Sequence, residues 1–450
     1  MGSLGRGSTW AAFSGLCLAA WAAGCGSSGA SGFPGSSSGD GSFIAGDGGG
    51  SGNTGNSGFG VGSGSSGSSS GMPGASVCTG TCCTSISGKV YDPAGNNPLY
   101  NIAVYVPTTP LAALTSGASC DSCSKLISGN PTASALTDAS GSFTIQNVPP
   151  GSNIPLVVQV GKWRMEYTIK SVTACQDNRQ PDKSLRLPHN HTVGSIPNIA
   201  ISTGGADTLE CLLRRIGLDA SEYGGGASTA GHIHVFAGGG GGFLGGFLPG
   251  LTGAPNTSPA GPASSSGLWD SVADLMKYDI VLLSCEGTET ASMNQQALFT
   301  YANSGGRVFA SHFHYAWFNT GPFGAKNLAT WMTGSNDIGN FNANIETTLP
   351  SGAAFPKGSA LKTWLGNVGA LTNGELPIQE GRHNADVAAA NTNSVPWIVA
   401  DKNSMAPGAT EYFSFDTPIG ASAAETCGRV VFSDLHVGAA SGDYQSGGQV

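Results

Sequence analysis

Three textures of apolar and polar positions follow one another along the chain. A first apolar run, Trp10 to Ala23, comes after Arg6 and is shorter than the ~20 residues a membrane span needs. From Gly26 to Val77 apolar residues become sparse, and Gly and Ser dominate without one Lys or Arg. From Thr84 apolar residues return in short alternating runs broken by turns. Ser85–Tyr91 alternates, Asp92-Pro-Ala-Gly95 turns, Ile102–Val106 is β-branched and aromatic, Leu136–Ile145 holds a polar turn, and Pro155–Val160 is apolar. Strands of this length and spacing predict an all-β sandwich over residues 78–170.

Residues 171–230 read as a connector. Pro188-His-Asn-His191 lies among Pro, Gly and Ser and predicts a surface loop. Asp207 can cap a short helix whose Leu209, Leu212, Leu213 and Ile216 share one face. From 231 to 450 buried-type strands alternate with helical or loop stretches. His232–Phe236 opens into a glycine-rich loop, Trp269–Met276 is helix-like, and Tyr278–Gly287 is an apolar strand ending in a small turn. Ala291–Ala302 is the next helix, stopped by Gly305-Gly306 before the strand Arg307–His312. Strand, helix, strand with short connections is a βαβ unit. It predicts an α/β domain with a mainly parallel sheet, of flavodoxin or amidotransferase type. Gly240 to Gly245 satisfies G-x-G-x-x-G after a strand. The helix that should receive a pyrophosphate does not follow, so the motif is set aside.

The early texture bears on compartment. Arg6 and the apolar run form a signal peptide over residues 1–24, and Ala22-Ala23-Gly24-Cys25 resembles the bacterial lipobox. That resemblance implies lipidation at Cys25 and a cell-surface or outer-membrane location, with the membrane as partner. Residues 25–77 cannot bury enough apolar surface to offset chain entropy and read as a disordered tether with a reach of roughly 40 Å. Eleven cysteines are present. Cys17 leaves with the signal and Cys25 is the anchor, while seven of the remaining nine lie between Cys78 and Cys211. In an exported chain this density predicts disulfides, including at Cys120-x-x-Cys123, with the pairing open. The net charge of −9, with no basic stripe, excludes nucleic acid as a partner.

Two further resemblances rest on longer blocks. The series G-K-V-Y-D-P-x-G, I-A-V-Y-V-P, T-D-A-S-G-S-F and V-P-P-G resembles the carboxypeptidase regulatory-like domain, a transthyretin-like β-sandwich, over about Thr84 to Ile169. It implies an extracellular scaffold or adhesion module. The insertion carrying Cys120 and Cys123 departs from the pattern. Y-D-I-V-L-L-S-C-E-G, then A-N-S-G-G-R-V-F-A-S-H, then C-G-R-V-V-F-S-D-L-H-V resemble the class I glutamine amidotransferase-like fold, in the branch that includes the trehalose-utilisation proteins. The stretch from Asn319 to Asn393 matches poorly. Amidotransferases carry a cysteine nucleophile on the turn that here holds His312, so glutaminase activity is not expected.

Sites in open α/β sheets form at the carboxyl ends of strands. Three strands deliver polar residues there: Cys285 and Glu286; Ser311, His312 and His314; Asp434 and His436. Read as one strand, His312 and His314 share a face. With His436 they form a candidate set for a divalent metal such as zinc. Glu286, Ser311, His312 and Asp434 are candidate catalytic groups. His232 and His234 begin their strand, at the wrong end, and read as structural. Two functions stay open. One is a binding or adhesion module, with Trp317, Trp331, Trp364 and Trp397 available to stack on carbohydrate. The other is a metal-assisted hydrolase or sugar-modifying enzyme. The chain ends soon after His436 without helical periodicity. This predicts a missing closing element, an exposed apolar strip beside the last strand, and an unpaired Cys285 or Cys427.

Overall fold

The computed structural model describes residues 82–436, apart from 122, 205, 208, 227, 229, 239–262 and 291–292. The signal, Cys25, the tether, the Gly240–Gly245 motif and the tail after His436 lie outside the described residues. No described helix is long and apolar enough to cross a membrane.

The alternating N-terminal texture folds as expected. Seven strands, β1 (Ser85–Tyr91), β2 (Ala103–Val106), β3 (Ala133–Leu136), β4 (Ser142–Gln146), β5 (Gly151–Val160), β6 (Trp163–Val172) and β7 (Leu185–Arg186), form two sheets, ordered β4-β1-β7 and β3-β2-β5-β6. The polar turn before β4 closes because Asp138 Oδ1 accepts from the backbone N–H groups of Ser140 and Ser142. Gly141 there sits at φ +74°, which glycine adopts without a Cβ penalty. β7 comes from the expected connector, so the sandwich reaches past residue 170.

A second, mixed sheet follows. Its strands are β8 (Ile199–Ser202), β9 (Tyr223–Gly225), β10 (Ile233–Ala237), β11 (Ala263–Ser264), β12 (Ile280–Leu283) and β13 (Arg307–Ser311), then β15 (Asp337–Ile345), β16 (Leu376–Arg382), β18 (Ser394–Ala400), β19 (Thr410–Thr417) and β20 (Gly428–Ser433). A separate ribbon pairs β14 (Thr330–Trp331) with β17 (Ala385–Asp386). Along the order β11-β10-β8-β12-β13-β20 every pairing is parallel. From β20 through β19, β18 and β15 to β16 every pairing is antiparallel. The sheet is therefore mixed rather than mainly parallel, and helices are few and short. Two of the antiparallel strands, β15 and β16, come from the poorly matching stretch Asn319–Asn393, and β18 and β19 follow it. Another departure is β8, which lies in the expected connector yet sits between β10 and β12.

The parallel strands are covered on both faces, which explains their continuous apolar runs. Ile199, Ile201, Ile233, Leu282, Phe309 and Val431 join one core with Ile86, Val104 and Val158 of the sandwich and Leu361 and Trp364 of the Pro356–Asn367 helix. Leu209, Leu212, Leu213 and Ile216 also enter this core, as their shared face predicts. Their alternates Ala200, Val281, Leu283, Val308, Ala310, Val430 and Phe432 pack with Leu268, Trp269, Leu275, Leu298 and Phe323 from helices on the other face. Each fully buried Leu or Phe contributes roughly 1.5–3 kcal/mol by leaving water. The sandwich thus forms one wall of the sheet's core.

The last strand overturns the expectation of an unfinished edge. β20 is flanked by β13 and β19, and among the described residues the exposed large hydrophobics are Val193 and Met405. Cys427 is bonded to Cys120, 307 residues away, and Cys82 to Cys175, while Cys285 is the unpaired cysteine of the expected two. The cysteine of the C-x-x-C stretch therefore reaches across to the sheet.

Candidate metal centre

The end of β13 decides the site. The strand stops at Ser311, and His312–Trp317 is a 3-10 turn. His312 takes φ +46°, a left-handed conformation rare outside glycine. This turn removes the period of two, so His312 and His314 do not share a face. The expected trio His312, His314 and His436 is corrected by that local geometry.

His314 turns inward. A carbonyl can only accept, so its Nε2–H donates to the Ser284 oxygen (2.8 Å). Its Nδ1 then accepts from Trp317 Nε1 (3.1 Å) and lies 3.2 Å from Thr290 Oγ1. Both nitrogens are used, and burial pushes its pKa down to about 4. His314 is a core strut.

His312 turns to the strand ends. Its Nε2–H donates to the Ser335 carbonyl (3.3 Å), which leaves the Nδ1 lone pair facing Cys285 Sγ at 3.2 Å. Its ring lies edge-on to His436, with centroids 4.8 Å apart. Register explains the meeting: β12 pairs with β13 and β13 with β20, all parallel, so residues just past their carboxyl ends gather. Donor atoms of Cys285, His312 and His436 all lie within 4.8 Å of one another. The three residues are 0 %, 1 % and 7 % exposed, and His436 Nε2 is buried without a hydrogen-bond partner.

Electrostatics exclude a thiolate–imidazolium pair. Burial raises the Cys285 thiol to about 12, aided by the Asp207 charge. Burial, then the neighbouring His436, pushes His312 down to about 3. Both stay neutral, so Cys285 is no ready nucleophile. Ser311 is committed as well: its hydroxyl donates to Asp207 Oδ2 (2.6 Å) and accepts from Cys285 N (3.0 Å). The pair therefore fixes the backbone that presents Cys285. Glu286 is not among the converging donors. A Cβ at Gly238 would sit 3.1 Å from its Oε1, which places it against the end of β10.

Asp434, two residues before His436, is buried, accepts from Asn384 N at 2.7 Å, and is pushed by burial up to about 8. Glu411 lies directly across the β19–β20 ladder, where Asp434 N donates to its carbonyl. Burial, then the Asp434 charge, raises Glu411 well above the carboxylate range, and neither of its carboxylate oxygens has a hydrogen-bond partner. A carboxyl raised in the folded state keeps its proton there and loses it on unfolding. Its contribution to stability is therefore present at low pH and lost as pH rises past the unfolded value of about 4.3. Glu411→Gln should remove that slope. Urea midpoints of the variant should gain on those of the parent between about pH 5 and pH 8. A constant difference across that range would refute the assignment.

Sequence reasoning found His312, His436 and the edge where they meet. It missed Cys285 as the third donor and Glu411 as the partner of Asp434. Cys285 follows an apolar strand as His312 does, which was the available signal. The tryptophans fail as a stacking platform: Trp317, Trp364 and Trp397 are buried, and Trp331 packs against Phe318, Phe413 and Phe432.

No family model matches the chain, and no curated protein matches it. Two solved structures were found, both interface mutants of a type II cohesin–X-dockerin complex from Acetivibrio cellulolyticus. The chain is 16 % and 17 % identical to them over 28 % and 30 % of its length and 78 % and 86 % of theirs, with TM-scores of 0.16 and 0.17. Likeness of that degree assigns neither fold nor partner.

Proposed function

We propose that this is an exported cell-surface metalloprotein, lipid-anchored at Cys25, in which Cys285, His312 and His436 hold one divalent ion of the zinc class. The observation that carries the reading is the buried His436 Nε2. An unpaired buried nitrogen costs about 1–3 kcal/mol, and ligation beside a sulfur and a second imidazole would satisfy it. The Ser335 carbonyl on His312 Nε2–H is the kind of outer partner that fixes a ligating tautomer. Three protein donors leave a fourth position, and zinc so held polarises a carbonyl or lowers the pKa of bound water. Asp434, two residues before His436 in the chain and with its pKa raised to about 8 by burial, is the candidate proton donor. This favours a metal-assisted hydrolase. The amidotransferase-like reading of the parallel half gains support from the β12-β13-β20 pairing, and the two-sheet body suits the carboxypeptidase regulatory-like reading. Glutamine hydrolysis is not part of the proposal, since the turn after β13 carries His312 where that chemistry needs a cysteine, and Cys285 is taken up as a ligand.

The second reading, a binding or adhesion module without chemistry, is favoured by the near-complete burial of the three donors. Metal content separates the two. The full chain, purified without chelator, should hold zinc, one equivalent of which is lost in both Cys285→Ser and His436→Ala. Metal content unchanged in those variants would make the edge an inert rim and leave the adhesion reading.

A further inference from the structure

At the opposite edge of the parallel strands, three residues from three segments converge. His191 lies in the loop after β7, Glu222 ends the 3-10 turn Ala220–Glu222 before β9, and His232 immediately precedes β10. Glu222 Oε1 is 2.6 Å from His191 Nδ1, and Oε2 is 3.1 Å from His232 Nδ1. The two rings are 5.0 Å apart, and one donor atom from each residue lies within 4.8 Å of the others. We propose that His191, Glu222 and His232 form a second metal site, for a divalent cation of the zinc class with at least one coordination position open to solvent.

Charge, chemistry and access support it. The Glu222 side chain is fully buried, and among the described residues its ion-pair partners are these two histidines. A carboxylate with its side chain fully buried is a costly group unless a cation or close polar partners answer it, and both of its oxygens face these histidines. Two imidazoles and a carboxylate are the donor set of open zinc sites. The His191 and His232 side chains are 45 % and 29 % exposed, so an ion has a way in.

The backbone is already in place. His191 N donates to Glu222 Oε1 (2.7 Å), and His232 N donates to the Glu222 carbonyl (3.1 Å). Alongside, Asn190 Nδ2 donates to Asp219 Oδ2 (2.6 Å), which also faces His189 Nδ1 at 2.9 Å. Ligands ~2.05 Å from one tetrahedral ion lie about 3.3 Å apart. The His232–Glu222 spacing is near that. His191, on the exposed side, needs an outward swing of about 0.7 Å to reach it.

The test uses the full chain with zinc and cobalt as probes. Competition against a colorimetric chelator should show a zinc site weakened at least about 100-fold in His191→Ala and in His232→Ala. His189→Ala, on the same loop but outside the donor set, should bind as the parent does. Cobalt at this site should give visible bands without the thiolate charge-transfer absorption that Cys285 would supply. That keeps its fate distinct from the carboxyl-edge centre. Unchanged zinc affinity in both alanine variants would overturn the proposal. So would equal loss in His189→Ala, which would make the effect one of loop order.

Discussion

Lys162→Ala should destabilise the protein by about 3–5 kcal/mol, far more than a surface ion pair would. Lys162 sits in the turn between β5 and β6 and reaches Asp279, just before β12, at 2.7 Å, with both side chains under 10 % exposed. The ammonium also donates to the Gly117 carbonyl, and Asp279 Oδ2 accepts from Asn198 N at 2.8 Å. One buried pair thus joins the sandwich hairpin, its insertion and the first residues of the sheet. Truncating the lysine leaves the carboxylate buried without its cation, which is the expensive outcome. Replacing the pair as Lys162→Met with Asp279→Asn keeps an acceptor for Asn198 N and should recover most of the loss. Urea unfolding of the three proteins measures this. A single-variant cost under about 1 kcal/mol would mean the pair behaves as if solvated.

Removing the Cys120–Cys427 disulfide, as Cys120→Ser with Cys427→Ser, should cost about 3–5 kcal/mol under non-reducing conditions, where the parent keeps the bond. A cross-link over so long a loop strongly restricts the unfolded chain. Its setting shows what else would loosen. Ala118 N donates to the Met276 carbonyl at 3.0 Å. Gly305, at φ +101°, leaves only 2.2 Å between the Ser119 carbonyl and the place a Cβ would occupy. The insertion is therefore docked as well as bonded. In the variant it should become the first site of limited proteolysis, while the sandwich and sheet cores resist. Midpoints within about 1 kcal/mol of the parent would show that docking alone holds the insertion.

Local pattern was enough wherever a residue's role depends on its neighbours in sequence. The alternation of Ser85–Tyr91, the Asp138–Gly141 turn, the apolar run of Ile280–Leu283 and the shared face of Leu209, Leu212, Leu213 and Ile216 all folded as read, because period and turn chemistry act over a few residues. Even the meeting of His312 and His436 was legible, since parallel strands carry their carboxyl ends to one edge.

Only tertiary structure decided the rest. Period alone put His312 and His314 on one face; the 3-10 turn, in which His314 bonds to Ser284 and to Trp317 of the same turn, sent them apart. Spacing left the partner of Cys120 open, whereas docking of the insertion on the sheet brought it to Cys427. Nothing near residue 199 marks it as the strand between β10 and β12, and nothing in three separate segments announces that His191, Glu222 and His232 converge. Such partners are chosen by which apolar faces bury together, and that choice is made over the whole chain, beyond the few residues across which a sequence period acts.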